Sequence, residues 1–179
     1  MIDGPPGADG VLQKDGQPFK FTLSWGRTTG RDAFGVPVHQ DLKKLGMDVT
    51  AEVGEWTAYL KRFQDRQFDV VLDGWVAPYD PDVYSYFHSS AATGGKNVSQ
   101  YSNPALDKML EDGRAENDAA KRKKIYDELQ VFLQDELPEI FLLYRPEFQA
   151  RAMGFGGIPT MALQLGDPLC YADEFFKAG

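Results

Sequence analysis

The chain has 179 residues, of which 42% are hydrophobic and 13% aromatic, so it can bury one large core or two small ones and is not disordered overall. Its formal net charge is −8, and its basic run, residues 121–124, is followed by acidic residues on the same predicted helix. A surface that binds nucleic acid needs clustered positive charge, so this composition excludes a nucleic-acid partner.

The first predicted element is a β-hairpin. Residues 11–13 and 19–25 flank a tight turn in which Asp15-Gly16 supplies the positive-φ positions. Apolar and polar residues alternate from Phe19 to Leu23, which predicts a strand with one buried face.

Helices and strands then alternate. We predict a helix that ends at Gly46, a strand over 47–53, a helix over 57–67 and a strand over 68–74. Pro37 leaves the start of the first helix open between Arg31 and Val38, and Thr57 is the expected N-cap of the second. The strand over 68–74 alternates little, so we expect it to be central. The order β-α-β-α-β predicts parallel strands with right-handed crossovers.

The second half of the chain is predominantly helical. We predict a short helix over 83–87, a helix capped by Asn103, a helix that begins near Asp118, strands over 139–145 and 147–153, and irregular chain beyond Gly154. The fold class predicted for the whole chain is α/β, with a mixed sheet and flanking helices.

The segment that follows Gly74 combines aromatic residues with two close carboxylates. Asp80 and Asp82 form a D-x-D pattern, which is compatible with a turn and helix cap, with ligand contact, or with the divalent metal of a transferase. Neither a nucleophile with its base nor a phosphate-binding glycine loop is recognisable, so we predict that the protein is not an enzyme and needs no cofactor.

Several motifs together resemble one family. "LKKLGM", "GW" followed by "YDPD", "YSNPALDKML" and a "LP.I.L.Y" pattern occur in this order along the chain. In this respect the chain is similar to the C-terminal lobe of the extracellular solute-binding proteins of the peptide/nickel ABC-transporter family. The resemblance implies one lobe of a two-lobed, type II-like periplasmic-binding fold. It places that lobe at 1–160 and an irregular tail at 161–179, which would return towards an absent N-terminal lobe.

The resemblance also implies the ligand-contacting residues. Trp56 and Trp75 match tryptophans that contribute to the ligand chamber of peptide-binding members, although either could instead pack in the core. The positions expected to contact solute are Trp75, Trp56, Val76, Pro78, Tyr79, Asp80 and Asp82.

This sequence departs from the oligopeptide binders at three positions. Those proteins carry an Asp three residues after the "GW" tryptophan, where this chain has Pro78. Phe63 and Leu72 replace arginines. The sequence leaves open whether Asp73, Asp80 or Asp82 replaces the Asp that pairs with a peptide amine.

The resemblance further implies partners and location. We expect a peptide or other small polar solute, the membrane permease subunits of an ABC importer, and the absent N-terminal lobe as partners. The full-length protein is expected to be membrane-anchored in the periplasm or outside the cell. Two alternatives are a metal-dependent transferase that uses Asp80 and Asp82, and a protein-interaction module that dimerises through its exposed cleft face.

Overall fold

The computed structural model describes residues 10–76, 80–144, 155–156 and 176–177, and the chain divides into two units between Trp75 and Val76. The elements of the first unit are β1 (Gln13–Lys14), β2 (Gln17–Pro18), β3 (Lys20–Gly26), α1 (Thr29–Lys44), β4 (Asp48–Gly54), α2 (Trp56–Gln64) and β5 (Val70–Val71). Those of the second are α3 (Tyr84–Phe87), a 3-10 turn (Ser89–Ala91), α4 (Pro104–Ala115), α5 (Ala119–Glu136), β6 (Phe155–Gly156) and β7 (Phe176–Lys177).

The predicted tight turn is confirmed, but the hairpin is shorter than expected. Asp15 and Gly16 have φ of 53° and 75°, the backbone that a two-residue hairpin turn requires. They join β1 to the two-residue β2 and not to the long strand that follows. The long strand β3 pairs in parallel on both of its sides instead.

The predicted β-α-β-α-β arrangement of parallel strands is confirmed, with a different strand at its centre. The sheet order is β4-β3-β5, and β3 pairs with β4 over seven residues, from Lys20 opposite Asp48 to Gly26 opposite Gly54. β5 contributes two residues and lies at the edge of this three-stranded sheet. The expectation that the strand over 68–74 is central was therefore wrong, because β3 occupies that place.

The carboxyl half of β3 is buried on both faces. Leu23, Ser24, Trp25 and Gly26 are consecutive buried residues, whereas Phe19 at the other end is 38% exposed. The prediction of one buried face was wrong here, because a central parallel strand is covered on both sides. The indole Nε1 of Trp25 donates to Asp32 at 2.8 Å, so the polar atom of this core side chain is satisfied.

Both helices of the first unit begin earlier than predicted. α1 begins at Thr29, because the side chain of Thr28 accepts the amide N–H of Arg31 as an N-cap, and it continues through Pro37. α2 begins at Trp56, with the carboxylate of Glu55 accepting from the amides of residues 57 and 58. These hydrogen bonds lower the pKa of Glu55. The expected Thr57 cap was wrong by two residues.

The two long helices of the second unit begin where their caps predicted. The side chains of Asn103 and Asp118 accept the first free amides of α4 and α5, and α4 packs on α5. Buried leucines lie on both helices. Tyr126 of α5, which the apolar stripe did not include, packs on Gly113 of α4, where a Cβ would lie 2.9 Å from the ring.

The chain beyond α5 differs from the prediction over its described part. Residues 138–144 form no strand, and Ile140 to Tyr144 are all more than half exposed. The strand predicted over 139–145 was thus wrong for 139–144, whereas the strand predicted over 147–153 lies outside the described residues. β6 pairs antiparallel with β7, so the prediction of irregular chain beyond Gly154, which included the tail at 161–179, was wrong at these four residues. Among the described residues, none of the helices is long and apolar enough to span a membrane.

Candidate functional site

The carboxyl edge of the parallel sheet, where its three strands end, brings together one side chain from each segment that follows a strand. Arg31 follows β3, Trp56 follows β4 and Asp73 follows β5. Because the strands are parallel, these three connections leave the sheet at the same edge, which is where open α/β sheets bind ligands. The edge is therefore the candidate site of the first unit.

Arg31 links the other two side chains. Its Nη2 donates to Oδ1 of Asp73 at 2.6 Å, and its guanidinium carbon lies 4.4 Å from the centre of the Trp56 ring. The side chains of Arg31 and Asp73 are 28% and 19% exposed, so the pair is partly shielded from water. A guanidinium at this distance from an indole makes a favourable cation–π contact.

Tyr59 of α2 and Gly26 at the end of β3 both lie close to the indole of Trp56. The rings of Trp56 and Tyr59 have centroids 5.6 Å apart, and a Cβ on Gly26 would lie 2.6 Å from Cε3 of Trp56. Glycine at the end of β3 is therefore required for the indole to lie this close to the sheet. Burial, and secondarily the charge of Asp73, raises the pKa of the Tyr59 hydroxyl, which donates to the carbonyl of Leu72 at 3.4 Å.

Neither of the two tryptophans singled out from the sequence belongs to the buried core. Trp56 is 38% exposed and Trp75 is partly buried, whereas Trp25 is 1% exposed. Trp75 follows Asp73 by two residues and ends the first unit. These two indoles thus retain surface that a solute could cover.

In the second unit, the two carboxylates of the D-x-D pattern are held by arginines from the helices. Asp80 accepts two bonds from Arg122, at 2.7 and 3.0 Å, and this pairing lowers the pKa of Asp80. Asp82 accepts from Nε of Arg114 at 2.7 Å.

The same two carboxylates also shape the turn before α3. Asp80 Oδ1 accepts the amide of Asp82 at 2.9 Å, and Asp82 Oδ1 accepts the amide of Tyr84 at 3.0 Å. These bonds confirm the turn part of the turn-and-cap alternative. The expected cap was wrong, because the N-cap of α3 is Val83, which makes no side-chain cap hydrogen bond.

A metal-dependent transferase finds no support in this part of the molecule. The carboxylates it would use are both paired with guanidinium groups, and the described residues contain no group of three or more side chains that could hold a metal ion. Val76 is 53% exposed, and Pro78 and Tyr79 lie outside the described residues.

Two of the three positions at which this sequence departs from the oligopeptide binders, Phe63 and Leu72, have apolar neighbours. Phe63 stacks between Tyr59 and Phe68, with both centroid distances 6.0 Å, and Leu72 packs against the core of the first unit. Neither position supplies a charge to the candidate site.

Arg31 and Tyr59 are the members of the site that sequence reasoning missed. Arg31 lies five residues after the end of β3, so a search of all residues that follow predicted parallel strands would have found it. Tyr59 was read only as part of a helix. Its buried position on α2, facing the end of β3, is a property of the folded sheet.

Comparison with known proteins agrees with the resemblance seen in the motifs. Residues 4–97 match the family model described as "Bacterial extracellular solute-binding proteins, family 5 Middle". The oligopeptide-binding protein AppA of Bacillus subtilis (strain 168) is 33% identical over 139 residues, which are 76% of this chain and 26% of AppA. The periplasmic murein peptide-binding protein MppA of Escherichia coli (strain K12) is 30% identical over 68% of this chain and 23% of MppA.

The fold is also that of the family. The structure of AppA in complex with a nonapeptide superposes with a TM-score of 0.78 at 28% identity, covering 96% of this chain and 34% of that chain. The chain spans about a quarter of the length of the curated relatives it matches. With its family model matched over more than half of its residues and its fold shared, this chain belongs to the bacterial extracellular solute-binding proteins of family 5.

Proposed function

We propose that this chain captures a solute, foremost a peptide, as part of a binding protein that serves an ABC importer. The observation that carries the proposal is the convergence of Arg31, Trp56 and Asp73 at the carboxyl edge of the sheet. The names of its relatives support a peptide as the solute: AppA is an oligopeptide-binding protein and MppA a murein peptide-binding protein.

The tryptophans are the proposed anchors for the solute. An indole offers a large, rigid surface at low entropic cost, and Trp56 is partly exposed beside a polar pair that can orient a bound group. Trp75, Val76, Pro78 and Tyr79 follow β5 in sequence and are the proposed further contacts. Asp80 and Asp82, which were expected to touch solute, are instead proposed to hold the turn before α3 through Arg122 and Arg114.

The rest of the binding surface is proposed to come from elsewhere in a longer protein. Residues 1–160 are then the C-terminal lobe, residues 161–179 return towards the N-terminal lobe, and closure of the two lobes buries the solute. Such a protein would act in the periplasm or outside the cell, anchored to the membrane, and deliver to permease subunits. Without the second lobe, the exposed indole surface could pair two copies of the chain.

The proposal is tested by titrating the 179-residue chain, labelled with 5-fluorotryptophan, with the dipeptide Met-Leu, a nonapeptide and glucose. Fluorine resonances report binding even at millimolar dissociation constants. We expect the peptides to shift the resonances of Trp56 and Trp75, and glucose to leave them unchanged. Assignment follows from Trp56→Phe and Trp75→Phe, each of which removes one resonance.

An alanine substitution measures the contribution of each anchor. Trp56→Ala or Trp75→Ala should weaken peptide binding about tenfold to a hundredfold, because an aromatic anchor contributes about 1–3 kcal/mol. Absence of any shift at millimolar peptide would contradict the proposed function.

A further inference from the structure

We propose that Asp73 and Arg31 are positioning residues for Trp56: the Asp73 carboxylate holds the Arg31 guanidinium, and the guanidinium holds the indole. The inference rests on the proposed function, in which Trp56 contacts the solute. It assigns Asp73 to the indole and not to the amine of a peptide.

The first step is that Trp56 needs a fixing contact on its outer side. It is the first residue of α2 and is 38% exposed, so core packing covers only part of the ring. Gly26 of β3 and Tyr59 of α2 lie so close to the ring that even a Cβ on Gly26 would clash with it. The Arg31 guanidinium covers a face of the ring, 4.4 Å from the ring centre.

The second step is that Arg31 is itself held. A long arginine side chain loses much rotamer freedom when it is fixed over a ring, so the contact is weak unless another group orients the guanidinium. Asp73 provides that group through the 2.6 Å bond to Nη2. Asp73 also acts on the Tyr59 hydroxyl, and Tyr59 packs on Trp56. Asp73, Arg31 and Trp56 thus form a chain of contacts, and Tyr59 packs on the indole at its end.

The third step concerns the net charge of the three aspartates that could pair with the amine of a solute. With Arg31 at 2.6 Å, the carboxylate of Asp73 is compensated, and Asp80 and Asp82 are compensated by Arg122 and Arg114. A peptide amine that approached Asp73 would also approach the Arg31 cation, which repels it. None of the three aspartates considered for amine pairing is therefore available as a single uncompensated charge.

The test combines a spectroscopic readout with binding. In the 5-fluorotryptophan chain, Arg31→Gln and Asp73→Asn should both shift the Trp56 resonance and make it more sensitive to solvent, and should leave the Trp25 resonance in place. Asp65→Asn is the matched control. It removes the same charge from a residue that pairs with Lys61 at the solvent-exposed end of α2, and it should leave Trp56 unchanged.

Binding is measured with Met-Leu and N-acetyl-Met-Leu. Asp73→Asn should weaken both peptides by the same factor, about threefold to thirtyfold, the range expected for loss of a cation–π contact. The double variant with Arg31→Gln should bind no more weakly than Arg31→Gln alone, since the two residues act through one contact.

The results separate two claims: that Asp73 and Arg31 position Trp56, and that the chain binds a peptide. A Trp56 resonance that does not respond to Asp73→Asn overturns the positioning role. So does a variant that loses affinity for Met-Leu alone, because that result makes Asp73 the amine ligand. If neither peptide binds the unmodified chain while the Trp56 resonance still responds, the positioning of the indole stands and the proposed function fails.

Discussion

Replacing Gly26 by alanine tests whether Trp56 and Tyr59 are fixed by close packing at the end of β3. The added Cβ would lie 2.6 Å from Cε3 of Trp56 and 2.8 Å from Cδ1 of Tyr59, about 1 Å inside the optimal separation of two carbon atoms. The substitution leaves the Trp56 and Tyr59 residues themselves unchanged. Any change in their surroundings therefore reports the fit between the sheet and the two rings.

The size of the effect follows from which ring can move. Trp56 is partly exposed and can tilt outward, but Tyr59 is 1% exposed and is packed on its other side by Phe63. Overpacking of a buried site costs about 1–3 kcal/mol. Because one ring yields and the other does not, we expect a loss near the middle of that range, about 2 kcal/mol of unfolding free energy. Outward tilt of Trp56 should also loosen its contact with Arg31.

Urea denaturation followed by tryptophan emission measures both effects. Gly74→Ala is the matched control, since a Cβ there meets nothing within 4 Å and the backbone is not in the left-handed region. We expect a clear fall in urea midpoint and altered native-state emission for Gly26→Ala, and a change within about 0.5 kcal/mol for Gly74→Ala. Equal midpoints and identical emission for the two variants would refute the packing argument.

Three further predictions concern polar groups. Asn97 is fully buried and its amide donates to three backbone carbonyls, so Asn97→Ala should lower the free energy of unfolding by about 2–4 kcal/mol. Ser99→Ala removes one hydrogen bond to Asn97 and should lower it by about 1 kcal/mol. Urea denaturation of the two variants measures both losses. The hydrogen bonds from Arg122 lower the pKa of Asp80 in the folded chain, so this ion pair stabilises the fold above about pH 3.9, the pKa of an aspartate in the unfolded chain. The stabilisation disappears as the pH falls through the lower pKa of the folded chain. The stability difference between the unmodified chain and Asp80→Asn, under about 1 kcal/mol at pH 7, should therefore vanish in acid; a constant difference would contradict it. The pKa of the Tyr59 hydroxyl is raised in the folded chain, so its contribution to folding stability is complete below about pH 10 and is lost at higher pH. Above about pH 10, Tyr59→Phe should therefore lose less stability with rising pH than the unmodified chain does. Thermal melts at several pH values measure this difference.

Sequence reasoning succeeded where the signal is local. The Asp15-Gly16 turn and the caps at Asn103 and Asp118 were found because each depends on the chemistry of one or two residues and their immediate neighbours. The parallel β-α-β-α-β order followed from alternating periodicities with short connections. These features need no knowledge of distant contacts.

It failed where a distant partner decides the outcome. Residues 139–144 have strong strand propensity, yet that propensity expresses packing against neighbouring strands, and no strand pairs with them among the described residues. The central place in the sheet was likewise assigned to the strand over 68–74, because its apolar and polar residues alternate little. The order of strands is set by pairing, and pairing gave that place to β3.

The candidate site was predicted in part for the same reason. Trp56 and Trp75 were singled out by residue type and motif, whereas Arg31 joins the site only because three separate connections meet at one edge. The role of Glu55 as the cap of α2 also matters here. By beginning the helix at Trp56 and not at Thr57, it fixes the backbone that carries the indole.

The pairing of three carboxylates with arginines affects which property of a solute the chain can recognise. From the sequence, Asp73, Asp80 and Asp82 were equivalent candidates for pairing with an amine, but each lies within 2.7 Å of an arginine. A compensated pair exerts a short-ranged field, so it attracts a charged group far less than a lone carboxylate does. What remains at the carboxyl edge of the sheet is the partly exposed face of Trp56, set at a fixed angle by Arg31 and Tyr59. Selection at this edge should therefore depend on the shape and apolar surface of the solute more than on its charge.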